Sequence, residues 1–206
     1  LVVSVTLPVR TAFVETDSYT DRISRGIKIY LNTPRLGGML AVYFAIASAG
    51  AMVIVNTVVL VHERFDGDAG DVALMMAAVG CGSVLMTLFL PSLLEKFSER
   101  MVMIGGALCL FVCMLLGAAV TSLVEVGLVW LLFGAASSAA QTPSERMLRK
   151  SASDEDRPRV YAAQFSLSHA CWLVTYPLAG WLGATLGLQV AFLVLASLTV
   201  LGVIVA

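Results

Sequence analysis

Residues 36–61 read LGGMLAVYFAIASAGAMVIVNTVVLV, bracketed by Arg35 and His62. No charged side chain interrupts the run. Coiled as a helix at 1.5 Å per residue it is about 39 Å long, enough to cross a hydrocarbon core of roughly 30 Å. Five more runs of this kind follow at 72–91, 101–120, 123–142, 160–181 and 186–206, and none contains Lys, Arg or Asp. Their one acid, Glu125, sits at the end of its run and reaches the interface. In hydrocarbon a spanning chain satisfies its backbone as a helix or a closed barrel. The runs therefore predict an all-α membrane protein with six transmembrane helices.

Composition points the same way. Of 206 residues 59% are hydrophobic and 13% charged, and the mean hydropathy is +0.90. A soluble domain carries about 25% charged residues to solvate its surface. Half that share leaves lipid as the main solvent. Cys81, Cys109, Cys113 and Cys171 all fall inside apolar runs, where thiols behave as small hydrophobes, and their spacing gives no disulfide framework. The net charge of −1 gives no sign of a nucleic-acid partner.

The placement of cations is more informative than their sum. The separators are 62–71, 92–100, 121–122, 143–159 and 182–185. With Arg35 on the cytoplasmic side, alternating spans put Arg10, Arg22, Arg25, Lys28, Lys96, Arg100, Arg146, Arg149, Lys150, Arg157 and Arg159 on that side too, and leave Arg64 outside. This positive-inside bias fixes orientation and span count together. Residues 1–9 are apolar but too short to span, and read as the tail of a preceding, truncated span. The chain opens at Leu1 and closes inside an apolar run, so we expect an excerpt of a longer protein. Residues 10–35 form a cytoplasmic linker. Within it Ile23, Ile27 and Tyr30 or Leu31 recur at helical spacing opposite Arg22, Arg25 and Lys28, which predicts a basic amphipathic helix on the membrane surface.

A basic linker with a surface helix, then six spans (36–206) joined by short loops, resembles the C-terminal half of a major facilitator superfamily permease. The resemblance covers essentially the whole chain. The loop Glu95-Lys96-Phe97-Ser98-Glu99-Arg100 after the second span stands where that family carries an acidic–basic gating loop. Ser98 replaces its preferred Gly and Glu99 breaks its basic cluster. The resemblance implies that Glu95, Lys96 and Arg100 help hold one of two alternating states. It also implies an N-terminal six-helix half as partner, in a bacterial cytoplasmic membrane.

Polar side chains at mid-membrane depth are costly and mark solute or proton pathways. His169 lies near the middle of its span, and imidazole changes charge near neutral pH. It is either a proton or substrate group or a neutral ring bonded to a neighbouring helix. Gln164, Ser168, Cys171 and Thr175 step by three or four and share one helix face. His169, Trp172 and Tyr176 share the next, an aromatic and hydrogen-bonding surface suited to an amphipathic organic solute. Pro177 removes a helix hydrogen bond and allows a bend. Asn56 either bridges helices or faces the cavity, and Gln141 is a weaker instance of the same choice. Gly80, Gly82, Gly105, Gly106 and the small residues 134–140 permit close helix packing.

The expected function is secondary active transport of a small solute by alternating access, with proton-coupled efflux as one mode. A nickel or cobalt permease is one alternative. Against it, His169 and Cys171 point about 200° apart on a helix, and the Cys109–Cys113 pair lacks a third ligand. A non-transporting membrane scaffold is the other alternative. No nucleotide loop, paired carboxylates or nucleophile–base pair is present in the spans, so neither a cofactor nor an enzymatic activity is expected.

Overall fold

The computed structural model describes residues 19–206; the expected truncated span at 1–9, and Arg10, lie outside them. Eight helices follow in order: α1 (Tyr19–Asn32), α2 (Pro34–Phe65), α3 (Ala69–Lys96), α4 (Glu99–Ala119), α5 (Leu123–Gln141), α6 (Ser144–Ser151), α7 (Arg157–Leu186) and α8 (Leu188–Val205). No strand occurs among the described residues. Five segments are long and apolar enough to cross a membrane: α2, α3, α4, the stretch Leu123–Ser151 that contains α5, and α8. Helix α7, 30 residues long, is not among these five, because its polar side chains lower its hydropathy; it covers the expected run 160–181.

Polar caps mark where several helices leave the hydrocarbon. Asp68 accepts from the Gly70 and Asp71 amides at 2.7 and 3.0 Å, and Asp71 returns a bond to the Asp68 amide at 3.0 Å. This capping box satisfies orphan donors at the start of α3. Ser98 caps α4 and Ser122 caps α5. Glu125 folds back onto the Thr121 amide at 2.6 Å, so the acid at the end of its run serves the helix terminus.

Most helices run a few residues beyond their apolar runs, and three places differ more. The third helix passes through Pro91 to Lys96, because a helix emerging into water needs no further apolar residues to continue. The expected separator 182–185 is helical, and the chain reverses at Gly187 alone, where φ is 85°, a left-handed value that favours glycine. The basic loop 143–159 holds a further helix, α6, which buries Ser144, Met147 and Leu148.

The spans pack with internal symmetry. Helix α3 lies on α5 as α7 lies on α2; α4 lies on α5 as α8 lies on α2; and α4 and α8 meet each other. Exchanging α2 with α5, α3 with α7 and α4 with α8 preserves this pattern. Each helix of the first three runs opposite to its counterpart, the geometry of an inverted repeat about an axis in the membrane plane. The α3–α5 seam is close. A side chain at Gly82 would strike the Leu131 carbonyl, and one at Gly134 the Val79 carbonyl. Lipid offers no hydrophobic drive for helices to associate, so such backbone proximity is what holds them. At the centre, buried Trp130 of α5 donates to Thr57 of α2 at 2.9 Å and packs on Phe133 and Phe192 with ring centroids 6.4 and 6.3 Å away.

The cations sort by end. Helix α1, the starts of α2, α4 and α7, and the ends of α3, α5 and α8 lie together, joined there by the Glu99–Lys150 pair and an Arg100 bond to Ala206. Arg64 lies at the opposite end, within 3.5 Å of the Ala118 carbonyl. The linker helix also does more than rest on a surface. Helix α1 docks on the start of α7, with Gly26 against the Arg159 carbonyl and Arg25 3.6 Å from Asp156. Of the two residues offered for its inward face, Tyr30 is fully buried and Leu31 is exposed.

Candidate functional site

Helix α7 carries the unusual chemistry of the chain, and its sides differ. Ala170, Val174, Pro177 and Trp181 step by four, three and four, forming a wholly apolar stripe whose members are exposed or nearly so. Phe165, His169, Trp172 and Tyr176 step the same way and form an aromatic stripe, exposed at Phe165 and His169 and half-buried at Trp172 and Tyr176. Gln164, Ser168 and Thr175 turn inward and are buried.

The aromatic stripe is ordered by ring contacts. Phe165 and His169 have centroids 4.0 Å apart, and Trp172 and Tyr176 5.0 Å. Trp172 is seated by Gly50 of α2, where any Cβ would collide with the indole. His169 Nδ1 lies 2.7 Å from the Phe165 carbonyl oxygen. A carbonyl only accepts, so Nδ1 carries the hydrogen. In the neutral ring this leaves the lone pair on Nε2 as a hydrogen-bond acceptor.

The inward face has a different task. The Oε1 of Gln164 accepts from the buried Tyr30 hydroxyl of α1, while its Nε2 has no partner among the described residues. Burial pushes the Tyr30 phenol well above its usual range, so it stays a donor. Beside it Tyr43 of α2 bonds Ser144 of α6 at 2.9 Å. Ser168 bonds the Phe165 carbonyl at 3.0 Å, and the Thr175 hydroxyl is buried without a partner among the described residues. Three of the four residues read as one polar face, Gln164, Ser168 and Thr175, are thus packed against the bundle, with Cys171 half-buried. Asn56 bridges α2 to α7: its Nδ2 donates to the Ala179 carbonyl at 3.0 Å, in space left by Gly183.

The counterpart of α7 under the internal symmetry is α3, whose contacts with α5 are made by hydroxyls. Ser83 donates to the Gly134 carbonyl at 3.0 Å, Thr87 and Ser138 lie 3.0 Å apart, and Gln141 donates to Ser137 at 3.0 Å. Of these residues Gln141 stood out in the sequence as a polar group, and Gly134, Ser137 and Ser138 only as part of the small-residue stretch 134–140. The signal available for the others was their spacing of four, Ser83 to Thr87 and Ser138 to Thr142.

The loop after α3 is built around a residue that its sequence marked as a disruption. Glu99 pairs with Lys150 of α6 at 2.5 Å, and Arg100 donates to the carbonyl of Ala206, the residue after α8, at 2.8 Å. Glu95 and Lys96 are exposed and have no ion-pair partner among the described residues. No group of three or more His, Cys, Asp or Glu side chains that could hold a metal ion occurs among the described residues.

No curated protein sequence matches the chain. A family model does, over residues 39–206, from α2 to the end of α8. Its description is Major Facilitator Superfamily.

Proposed function

Since the chain belongs to the Major Facilitator Superfamily, a family of membrane transporters, we propose that it moves a small amphipathic organic solute by proton-coupled alternating access. An N-terminal six-helix half would complete its pathway. The observation that carries this reading is the Phe165–His169–Trp172–Tyr176 stripe of α7. Lipid-facing surfaces need no imidazole, and a polar group at that depth is retained for work. The tilted ring pairs offer apolar aromatic contact to an organic solute, with the Nε2 of His169 supplying the hydrogen-bond acceptor. Taking up a proton there would convert that acceptor into a donor and add a charge. The same solute would then meet a different site in each half of the cycle.

Within this reading Asn56 ties α2 to α7, Gln164 seats α1 on α7, Ser168 and Thr175 are packed inside the bundle, and none of the four touches the solute. Arg100 joins Glu99 and Lys150 in fastening helix ends of this half to one another, so that it moves as a unit, while Lys96 serves the positive-inside bias and Glu95 stays exposed beside it. The test is a flux assay on the full-length protein in proteoliposomes, with radiolabelled aromatic solutes and imposed pH gradients. Transport should follow the gradient in the parent protein and lose that dependence in His169→Gln. A variant with unchanged pH dependence would refute proton coupling through His169. Absence of flux for every solute would favour the scaffold reading.

A further inference from the structure

The cationic end of the bundle contains a cleft of about 530 Å³, lined by α2, α4, α6 and the end of α8 and by no residue of α3, α5 or α7. It is therefore separate from the aromatic stripe. Arg35, Arg100 and Lys150 line it, against the single carboxylate of Glu99. Glu99 is already taken by Lys150. Arg100 uses one donor on the Ala206 carbonyl, and Arg35 is exposed with no ion-pair partner among the described residues. A guanidinium has five N–H donors in a planar fork that matches phosphate oxygens. Helices α2 and α4 both begin at this cleft, adding the partial positive charge of their N-termini.

Below this rim the lining turns apolar, with Met39 and Val42 of α2, Met103 and Ile104 of α4, and Met147 of α6. A free phosphate ion would gain nothing from such a floor. A glycerol backbone and the first acyl carbons would, and methionines adapt readily to an irregular apolar guest. Basic pockets between transmembrane helices on this side of a bilayer suit anionic headgroups.

We propose that this cleft binds the phosphate headgroup of an anionic phospholipid, with Arg35 and Arg100 as its principal ligands. The proposal rests on the charge and shape of the cleft and stands whether or not the chain is proton-coupled.

The experiment is native mass spectrometry of the full-length protein in detergent, titrated with dioleoyl phosphatidylglycerol or dioleoyl phosphatidylcholine. The parent protein should retain the anionic lipid preferentially. Neutralising both guanidinium groups, Arg35→Gln with Arg100→Gln, should cut that preference about tenfold or more. The Arg35→Lys, Arg100→Lys pair should keep most of it. Because Arg100 also bonds α8, Arg35→Gln alone provides a milder variant, with an expected loss of about threefold or more. Arg146→Gln with Arg149→Gln, at the same end but outside the cleft, should change nothing. An equal loss in that control would overturn the proposal in favour of diffuse surface charge. An unchanged preference in Arg35→Gln would also overturn it, as would displacement of the lipid by millimolar inorganic phosphate, which would assign the cleft to a soluble anion.

Discussion

Gly80 and Gly82 are two residues apart on α3, yet an alanine at one should be harmless and at the other costly. A Cβ at Gly80 meets nothing within 4 Å. A Cβ at Gly82 would lie 2.8 Å from the Leu131 carbonyl carbon and 3.0 Å from the Ala135 nitrogen of α5, with the Leu131 oxygen nearer still. Ordinary contact begins near 3.4 Å, so the helices must part by about 0.6 Å or more. A gap of that size forfeits a quarter to a half of each dispersion contact, and each contact is worth ~0.1–0.2 kcal/mol. Over about 40 atom pairs the loss is ~1–4 kcal/mol. The Ser83–Gly134 and Thr87–Ser138 bonds cross the same seam and lose about 0.6 kcal/mol each if broken. Gly82→Ala should thus be ~2–5 kcal/mol less stable than Gly80→Ala, since the helix-propensity gain of Gly to Ala is common to both and cancels. Thermal unfolding of the full-length protein in detergent, read by intrinsic fluorescence, makes the comparison. Equal midpoints for the two variants, or a lower one for Gly80→Ala, would refute the packing argument.

Other contacts give equally direct expectations. Trp130→Phe removes the indole donor to Thr57 and should cost about 0.6–1.7 kcal/mol, the range of interhelical hydrogen bonds in membranes, measured by the same unfolding assay. Tyr30→Phe leaves the buried Gln164 amide without its donor, at about 1–3 kcal/mol; undocking of α1 should appear as faster proteolysis within 19–32. The Glu99–Lys150 pair is partly exposed, 58% at the lysine side chain and 23% at the glutamate, so Lys150→Glu should cost at most ~1 kcal/mol. Adding Glu99→Lys should restore it, in a double-mutant cycle on the unfolding midpoint.

The membrane class of this chain, its helices and the end at which its cations gather were legible in the sequence. Those properties depend on how long a segment runs without charge and where the next Lys or Arg falls, quantities that add up locally along the chain. The orientation of each helix about its own axis was not legible. In water an amphipathic stripe distinguishes the inner from the outer face; in hydrocarbon both faces are apolar, so periodicity carries little information. Gly80 and Gly82, or Gly105 and Gly106, therefore read alike, although only Gly82 and Gly106 meet a neighbouring backbone. The loop gave the same ambiguity: Glu95 looked like the pairing acid, and the arrival of α6 beside α4 made it Glu99. On α7 spacing alone grouped the polar residues correctly into two faces, but only the seat that Gly50 provides for Trp172, together with the packing of Gln164 under Tyr30, decided which face the bundle keeps and which it presents.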